Sequence, residues 1–328
     1  MFFKVSWDDD FDTLMMHLWA KYGKEMFTVD GIGEQMDLHK FSKKFFNEAS
    51  TTADVSVDAN ANVTQRTGIE YNFELAKPLR RYNSYFNLWK QLRKDFGLEL
   101  ANHIIESQIN GTIYINDATD TSQYYCYNYS TNDIRYNGLV GLADRPVVQP
   151  PKSLDVFFRQ VEQFIVIAAN SSLGASGCAD LFIVASDYVE RILETGYDGH
   201  IYIGKDKDKV GVYVREKIVE IIYTLNWAFR GNQSPFTNVS VFDSVFLEKL
   251  CPDYGVKPET VKWVQKIYIE AMNKELERTV LTFPVTTACF ATDDENNLVD
   301  KKFCEYIAKQ NLKYGFINIY YGKTSTLS

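Results

Sequence analysis

Hydrophobic and polar positions follow two rhythms along this chain. After Lys77-Pro78, the residues Leu79, Tyr82, Phe86, Trp89, Leu92 and Phe96 recur at helical spacing. That spacing predicts a helix that proline opens and Gly97 closes. A second helix covers roughly residues 98–108 and stops at Asn110-Gly111, after which "TIYIND" alternates as a strand does. Upstream, residues 11–22 and 37–46 read as short helices, with Gly31 and Gly33 between them. "TTADVSVDANANVTQRTG" is rich in Asn, Asp and Thr, whose side chains compete with regular backbone pairing, so it reads as a loop or linker.

Beyond this, strands and helices take turns. "QYYCYNYS" reads as a strand. Ser153 caps a helix to about residue 169, with Phe157, Val161, Phe164, Ile165 and Ala168 on one face. "GASGCADLFIVASDYVERILETG" runs from a glycine turn into a helix. Residues 210–229 form another helix, and "TNVSVFD" a strand. A helix opens at Pro258 and runs to about residue 280, followed by the strand "LTFPVTTACF", a helix over 300–312 and the strand "GFINIY". Strands separated by helices of this length imply parallel pairing and an α/β architecture.

Composition narrows the classes. The chain has 328 residues, 45% of them apolar, enough for one large or two ordinary domains. Its net charge of −8 and lack of a basic stripe argue against nucleic acid binding through charge. No apolar run reaches membrane-spanning length and the start lacks signal-peptide architecture, so a soluble, cytoplasmic protein without a membrane partner is expected. Cys126, Cys178, Cys251, Cys289 and Cys304 are odd in number and widely spread, with no C-x-x-C. A structural zinc site or disulfide framework within this chain is not expected. The four histidines lack metal spacing, and G-x-S-x-G and H-E-x-x-H are absent.

Four stretches could carry chemistry. In "YGKTSTLS", Gly322-Lys323-Thr324 imitates the end of a phosphate loop, but Ile317 stands where a Walker A glycine is needed, so a polar turn after a strand is the better reading. "NSSLGASGCAD" contains Gly174 and Gly177, which allow close backbone approach to a phosphate or base; it lacks the dinucleotide fingerprint, and taken alone a tight structural turn is the better reading. "RGNQSPFTNVSVFD" concentrates Arg230, Asn232, Gln233 and Ser234 before a strand, where either a ligand loop or a structural loop fits. In "QYYCYNYS", alternation places Tyr124, Cys126 and Asn128 on one face and Tyr125, Tyr127 and Tyr129 on the other. Cys126 therefore shares its face with a polar residue, although a packed thiol is the simpler reading.

Taken together and in order, "TTADVSVDANANV", "KPLRRYNSYFNLWKQLRKDFGLELAN", "NGTIYINDATD", "YYCYNYS", "RGNQSPFTNVSVFD", "ERTVLTFPVTTACF" and "KYGFINIYYGKTSTLS" resemble the class III, anaerobic ribonucleoside-triphosphate reductases. The resemblance implies the first half of the ten-stranded α/β barrel of ribonucleotide reductases and glycyl radical enzymes. Residues 1–75 would be a helical segment and polar loop, and residues 76–328 the half-barrel with its dimer-interface helices over 77–108. By the same resemblance Cys126 is the catalytic cysteine of the first barrel strand. Asn128, Ser171, Ser172, Gly174 and Gly177 would lie at the substrate, and Arg230, Asn232, Gln233 and Ser234 would form an effector loop that reads a bound dNTP or ATP.

The implied activity is radical reduction of ribonucleoside triphosphates to deoxyribonucleoside triphosphates for DNA replication, under allosteric control. The family's finger-loop cysteine, second half-barrel, zinc-binding cysteines and glycyl-radical motif have no counterpart here. The expectation is an N-terminal piece of a split or spliced enzyme, needing a C-terminal reductase fragment. An inactive, nucleotide-binding or dimerising remnant is the alternative. This portion would hold no cofactor itself. The complete enzyme would be a homodimer that uses a glycyl radical made by a radical-SAM [4Fe-4S] activating enzyme, formate as reductant and a zinc site in the C-terminal part.

Overall fold

The computed structural model describes residues 8–22, 42–43, 68–115, 118, 126–140, 147–172, 174–227, 229 and 234–324, with backbone alone for 68–70 and 72–81. The chain forms two compact units, one of residues 1–53 with 64–124 and one of residues 54–63 with 125–328.

In the first unit, the helices are α1 (Asp9–Tyr22), α2 (Gly68–Phe96) and α3 (Leu98–Ile109). They bury Phe11, Leu18, Trp89, Ile105 and Ile109 completely or nearly so. The Phe11 ring lies 5.2 Å from Phe86 and 5.4 Å from Trp89. The Trp89 indole spends its one polar group on Asn102 Oδ1 at 2.8 Å, which lets it be buried without an orphan donor.

Two expectations are corrected here. The helix expected to open at Lys77-Pro78 begins at Gly68, so Pro78 lies inside it. The upstream "IEYNFELAK" contains good helix formers, and propagation from it overrides a mid-helix proline that costs about 3 kcal/mol. "TIYIND" does not form a strand over residues 112–115. Its amides turn back to the helix instead: Ile113 N donates to Ser107 O at 3.1 Å and Ile115 N to Gln108 Oε1 at 2.6 Å. The expected helix over 37–46 lies, apart from residues 42–43, outside the described residues.

In the second unit, β1 (Tyr127–Asn128), β2 (Ser176–Cys178), β5 (Thr237–Phe242), β6 (Val285–Thr292) and β7 (Ile317–Lys323) form one sheet in the order β1-β2-β5-β6-β7. Every neighbouring pair is parallel. A separate antiparallel hairpin joins β3 (Tyr197–Asp198) to β4 (Ile201–Tyr202). The connecting helices are α4 (Thr131–Asn137), α5 (Leu154–Asn170), α6 (Leu181–Thr195), α7 (Lys207–Thr224), α8 (Ser244–Tyr254), α9 (Pro258–Leu276) and α10 (Lys301–Tyr314). This is the α/β architecture expected, with parallel pairing from end to end.

Sequence reading missed α4, α8, β2 and the hairpin, and carried α7 and α9 a few residues too far. β2 is three residues long, too short for alternation to show. α8 contains Pro252, yet it is started firmly by Asp243, whose carboxylate accepts from Phe246 N at 3.0 Å. The polar turn expected at Gly322 and Lys323 after the last strand does not form there. Instead they belong to β7, opposite Ala291 and Thr292.

The register separates the two faces of the sheet. Cys178, Val239, Val241, Ala288, Phe290 and Ile317 point one way and are buried under the helices in the main core. That face supplies the driving force: burying each such side chain stabilises by about 1.5–3 kcal/mol. The entry to β6 is held by Asn226, whose amide accepts from Thr282 N and Phe283 N and donates to Phe283 O, at 2.7–3.1 Å, beside the cis Phe283-Pro284 bond.

Candidate functional site

The opposite face of the sheet is different. Near the C-terminal ends of the strands it is closed by α8: Phe246 and Leu247 pack on Phe242, Cys289 and Ala291. Toward the N-terminal ends it is open and polar. One row crosses Asn128, Gly177, Asn238 and Val285, and the next crosses Ser240, Thr287 and Asn318. Asn128 and Asn318 are exposed, and Gly177, Asn238 and Thr287 half-buried. Strands of a parallel sheet covered on both faces read as continuous apolar runs. Asn and Thr at interior strand positions therefore mark a face that lines a polar space.

Cys126 stands at the edge of this face, immediately before β1. Its thiol accepts a hydrogen bond from Ala175 N at 3.3 Å, and Tyr127 N donates to Ala175 O at 2.9 Å. The β1–β2 ladder thus fixes the cysteine backbone while one backbone dipole points at its sulfur. Cys126 is the exposed cysteine; the other four are buried. Burial pushes the thiols of Cys178 and Cys289 up to about 12, and those of Cys251 and Cys304 to about 11. Protonated and enclosed, those four are poor nucleophiles and poor partners for a substrate.

Asn128 and Gly177 meet at the β1–β2 corner, and Ser171, Ser172 and Gly174 lie on the segment that leads into β2. Asn128 leans over Gly177, where a Cβ would come within 2.7 Å of Asn128 Oδ1. Ser171 caps the end of α5 and gives its hydroxyl to Ile167 O at 3.1 Å. Ser172 and Gly174 are buried. Ser176 is fully buried, and its Oγ has no hydrogen-bond partner among the described residues. Ser234 is buried just before β5, whereas Arg230, Asn232, Gln233 and Tyr124 lie outside the described residues.

Among the described residues, the aromatic side chains that follow Cys126 turn away from the thiol. Tyr127 and Tyr129 stack on each other at 5.4 Å, and Tyr129 meets Phe164 of α5 edge-on at 4.6 Å. Alternation sends them to the helix side and leaves Cys126 facing away. Sequence reading also missed Asn238, Ser240 and Thr287. Their signal is the pair of polar residues two apart in "TNVSVFD" and the second threonine of "VTTACF", which strand alternation sends to one face.

Buried carboxylates tie this corner together. Asp180 accepts from Ser130 Oγ at 2.6 Å, Thr131 N at 2.8 Å and Tyr254 OH at 3.2 Å, anchoring α4 directly behind β1. Asp243 accepts from Ala291 N at 2.6 Å as well as from Phe246 N, locking β5 to the end of β6. Burial holds its carboxyl above the usual carboxylate range, although those backbone donors oppose the shift. Among the described residues no group of three or more His, Cys, Asp or Glu side chains is placed to hold a metal ion. No helix among them is long and apolar enough to cross a membrane.

Comparison with known proteins agrees with this geometry. The family model for anaerobic ribonucleoside-triphosphate reductase matches residues 83–327. The anaerobic ribonucleotide reductase of Thermotoga maritima, solved in complex with dATP and CTP, matches with 30% identity and a TM-score of 0.80, over 98% of this chain and 51% of that one. The same protein with glycerol in the active site gives a TM-score of 0.82 at 30% identity, over 98% and 51%. Another structure described as an anaerobic ribonucleotide reductase gives 0.82 at 31% identity, over 97% and 50%. The chain thus spans about half the length of the solved structures it matches. A comparison with curated proteins found no match. With three quarters of its length matched by the family model and a sheet of the same build, the chain belongs to the anaerobic ribonucleoside-triphosphate reductases.

Proposed function

We propose that this chain forms the N-terminal, nucleotide-binding half of an anaerobic ribonucleoside-triphosphate reductase, with the substrate on the open polar face of the sheet. The observation that carries the reading is Cys126: an exposed thiol, held by the β1–β2 ladder, at the edge of the uncovered face. A space that accepts a nucleotide and excludes water suits radical intermediates, which water would divert.

The C-terminal half of the family's length must accompany this chain for turnover. It supplies the radical, loaded by a radical-SAM activating enzyme, that takes hydrogen from C3′ of the ribonucleotide, and it carries the zinc site. Cys126 then serves as the reducing thiol: as the 2′-hydroxyl leaves as water, it delivers hydrogen to C2′. Formate supplies the two electrons and departs as carbon dioxide. The loop over residues 230–234 binds the effector dNTP or ATP, helices in residues 77–108 contribute to a homodimer, and the setting is cytoplasmic. The dATP and CTP held by the Thermotoga maritima protein support this pairing of effector and substrate.

The test is anaerobic assembly of this chain with the C-terminal half and its activating enzyme, followed by measurement of deoxyribonucleotide formation. Cys126→Ala is expected to abolish product while effector binding persists. Full activity of that variant would refute the role of Cys126. Nucleotide binding without turnover in the assembled wild-type protein would favour a remnant.

A further inference from the structure

We infer that Asn238 and Thr287 are substrate-orienting residues, a paired amide and hydroxyl that hold the uncharged nucleoside part of the ribonucleotide against the sheet. The inference rests on the reading of the open face as the nucleotide site.

Both residues sit on interior strands, Asn238 on β5 and Thr287 on β6, and both side chains lie on the open face. Asn238 Nδ2 donates to Thr287 Oγ1 at 3.0 Å. This is the one hydrogen bond that either side chain makes among the described residues. It fixes the orientation of the amide. It also decides what remains: Asn238 Oδ1 is left as an acceptor, and the Thr287 hydroxyl, having accepted, keeps its own O–H to donate. Half-buried polar atoms in the middle of a sheet are costly unless a partner completes them. If the pair existed only to satisfy itself, two apolar residues would serve the sheet better.

The position of the pair defines its partner. β5 and β6 are two and three strands from β1, so Asn238 stands about 10 Å and Thr287 about 14 Å across the sheet from the strand next to Cys126. The position between them, Gly177, has no side chain, so the floor between the thiol and the pair is bare backbone with the Asn128 amide at its edge. A ligand lying on that floor with its sugar at Cys126 reaches the pair with another part of the nucleoside. Neither Asn238 nor Thr287 carries charge, so a donor and an acceptor side by side suit a sugar or base edge better than a triphosphate.

The experiment uses the assembled reductase under anaerobic turnover, comparing wild type with Asn238→Ala, Thr287→Val, Thr287→Ser and Cys126→Ala. Thr287→Val keeps the side-chain volume and loses the hydroxyl. It is expected to raise KM for the ribonucleotide about tenfold, the loss of roughly one hydrogen bond to substrate, with kcat reduced less than threefold. Thr287→Ser restores KM, and effector binding is unchanged in all three positioning variants. A wild-type KM in Thr287→Val would overturn the inference. So would a loss that Thr287→Ser shares, because the hydroxyl would then be irrelevant and packing the cause. If Asn238→Ala fails to fold, the Thr287 series decides alone. Retained turnover in Cys126→Ala sinks the site reading itself; a dead Cys126→Ala beside an unperturbed Thr287→Val sinks only this inference.

Discussion

Two glycines on the same face of the sheet meet almost the same obstacle at almost the same distance, and should respond differently to alanine. A Cβ at Gly177 would lie 2.7 Å from Asn128 Oδ1, and a Cβ at Gly322 would lie 2.8 Å from Cζ of Phe246 and 3.3 Å from Cε1 of Tyr320. Ordinary contact needs about 0.7 Å more in each case. At Gly177 the obstacle is the tip of an exposed side chain, which swings away at a cost of about 0.5–1.5 kcal/mol. The loss of glycine's freedom in the unfolded chain returns about 0.4–1 kcal/mol, so the net change is within about 1 kcal/mol. At Gly322 the obstacle is a ring 6% exposed, packed with Phe242, Leu247 and Cys289. Overpacking there costs about 1–3 kcal/mol. In thermal unfolding, Gly322→Ala is expected to lower the midpoint by several degrees, up to about ten, and Gly177→Ala by about four at most, at about 2–4 °C per kcal/mol. A double-mutant cycle sharpens the comparison: in an Asn128→Ala background the Gly177→Ala penalty should vanish. Equal destabilisation by the two single substitutions, or a Gly177 penalty that survives removal of the Asn128 side chain, would refute this account of the β1–β2 corner.

Two further outcomes follow from burial and titration. Under native conditions a thiol reagent should label Cys126 quickly and the other four cysteines only on unfolding, counted by mass spectrometry; fast labelling of Cys178 or Cys289 would contradict the packing described. Burial raises the Asp300 carboxyl, but hydrogen bonds from the Ser244 hydroxyl and the Phe303 and Ser244 amides outweigh it and hold the group below the ordinary 3.8. A lowered folded value means stability present above 3.8 and lost as pH falls through the folded value. Asp300→Asn should therefore flatten the acid limb of stability below about pH 4, measured by urea unfolding at several pH values, and an unchanged limb would show that Asp300 does not contribute.

The sequence by itself determined the architecture of this protein. Helical periodicity over residues 79–96 and 154–169, and strand runs at "TNVSVFD", "VTTACF" and "GFINIY", are local signals that the structure keeps as helices and parallel strands. It also marked Cys126, because a cysteine beside Asn128 in an alternating strand exposes a face choice that the chain must make. What tertiary structure decided was which face is open. The three-residue β2 exists only because β1 and β5 flank it and supply its hydrogen bonds, so no local pattern announces it. The Asn238–Thr287 pair joins residues 49 positions apart through register alone. Gly322 looked like part of a phosphate loop; its use is to let the Phe246 ring lie against β7. Such contacts depend on parallel strands brought together across long connections, and the physical reason they escape a sequence reading is that no neighbouring residue carries the constraint.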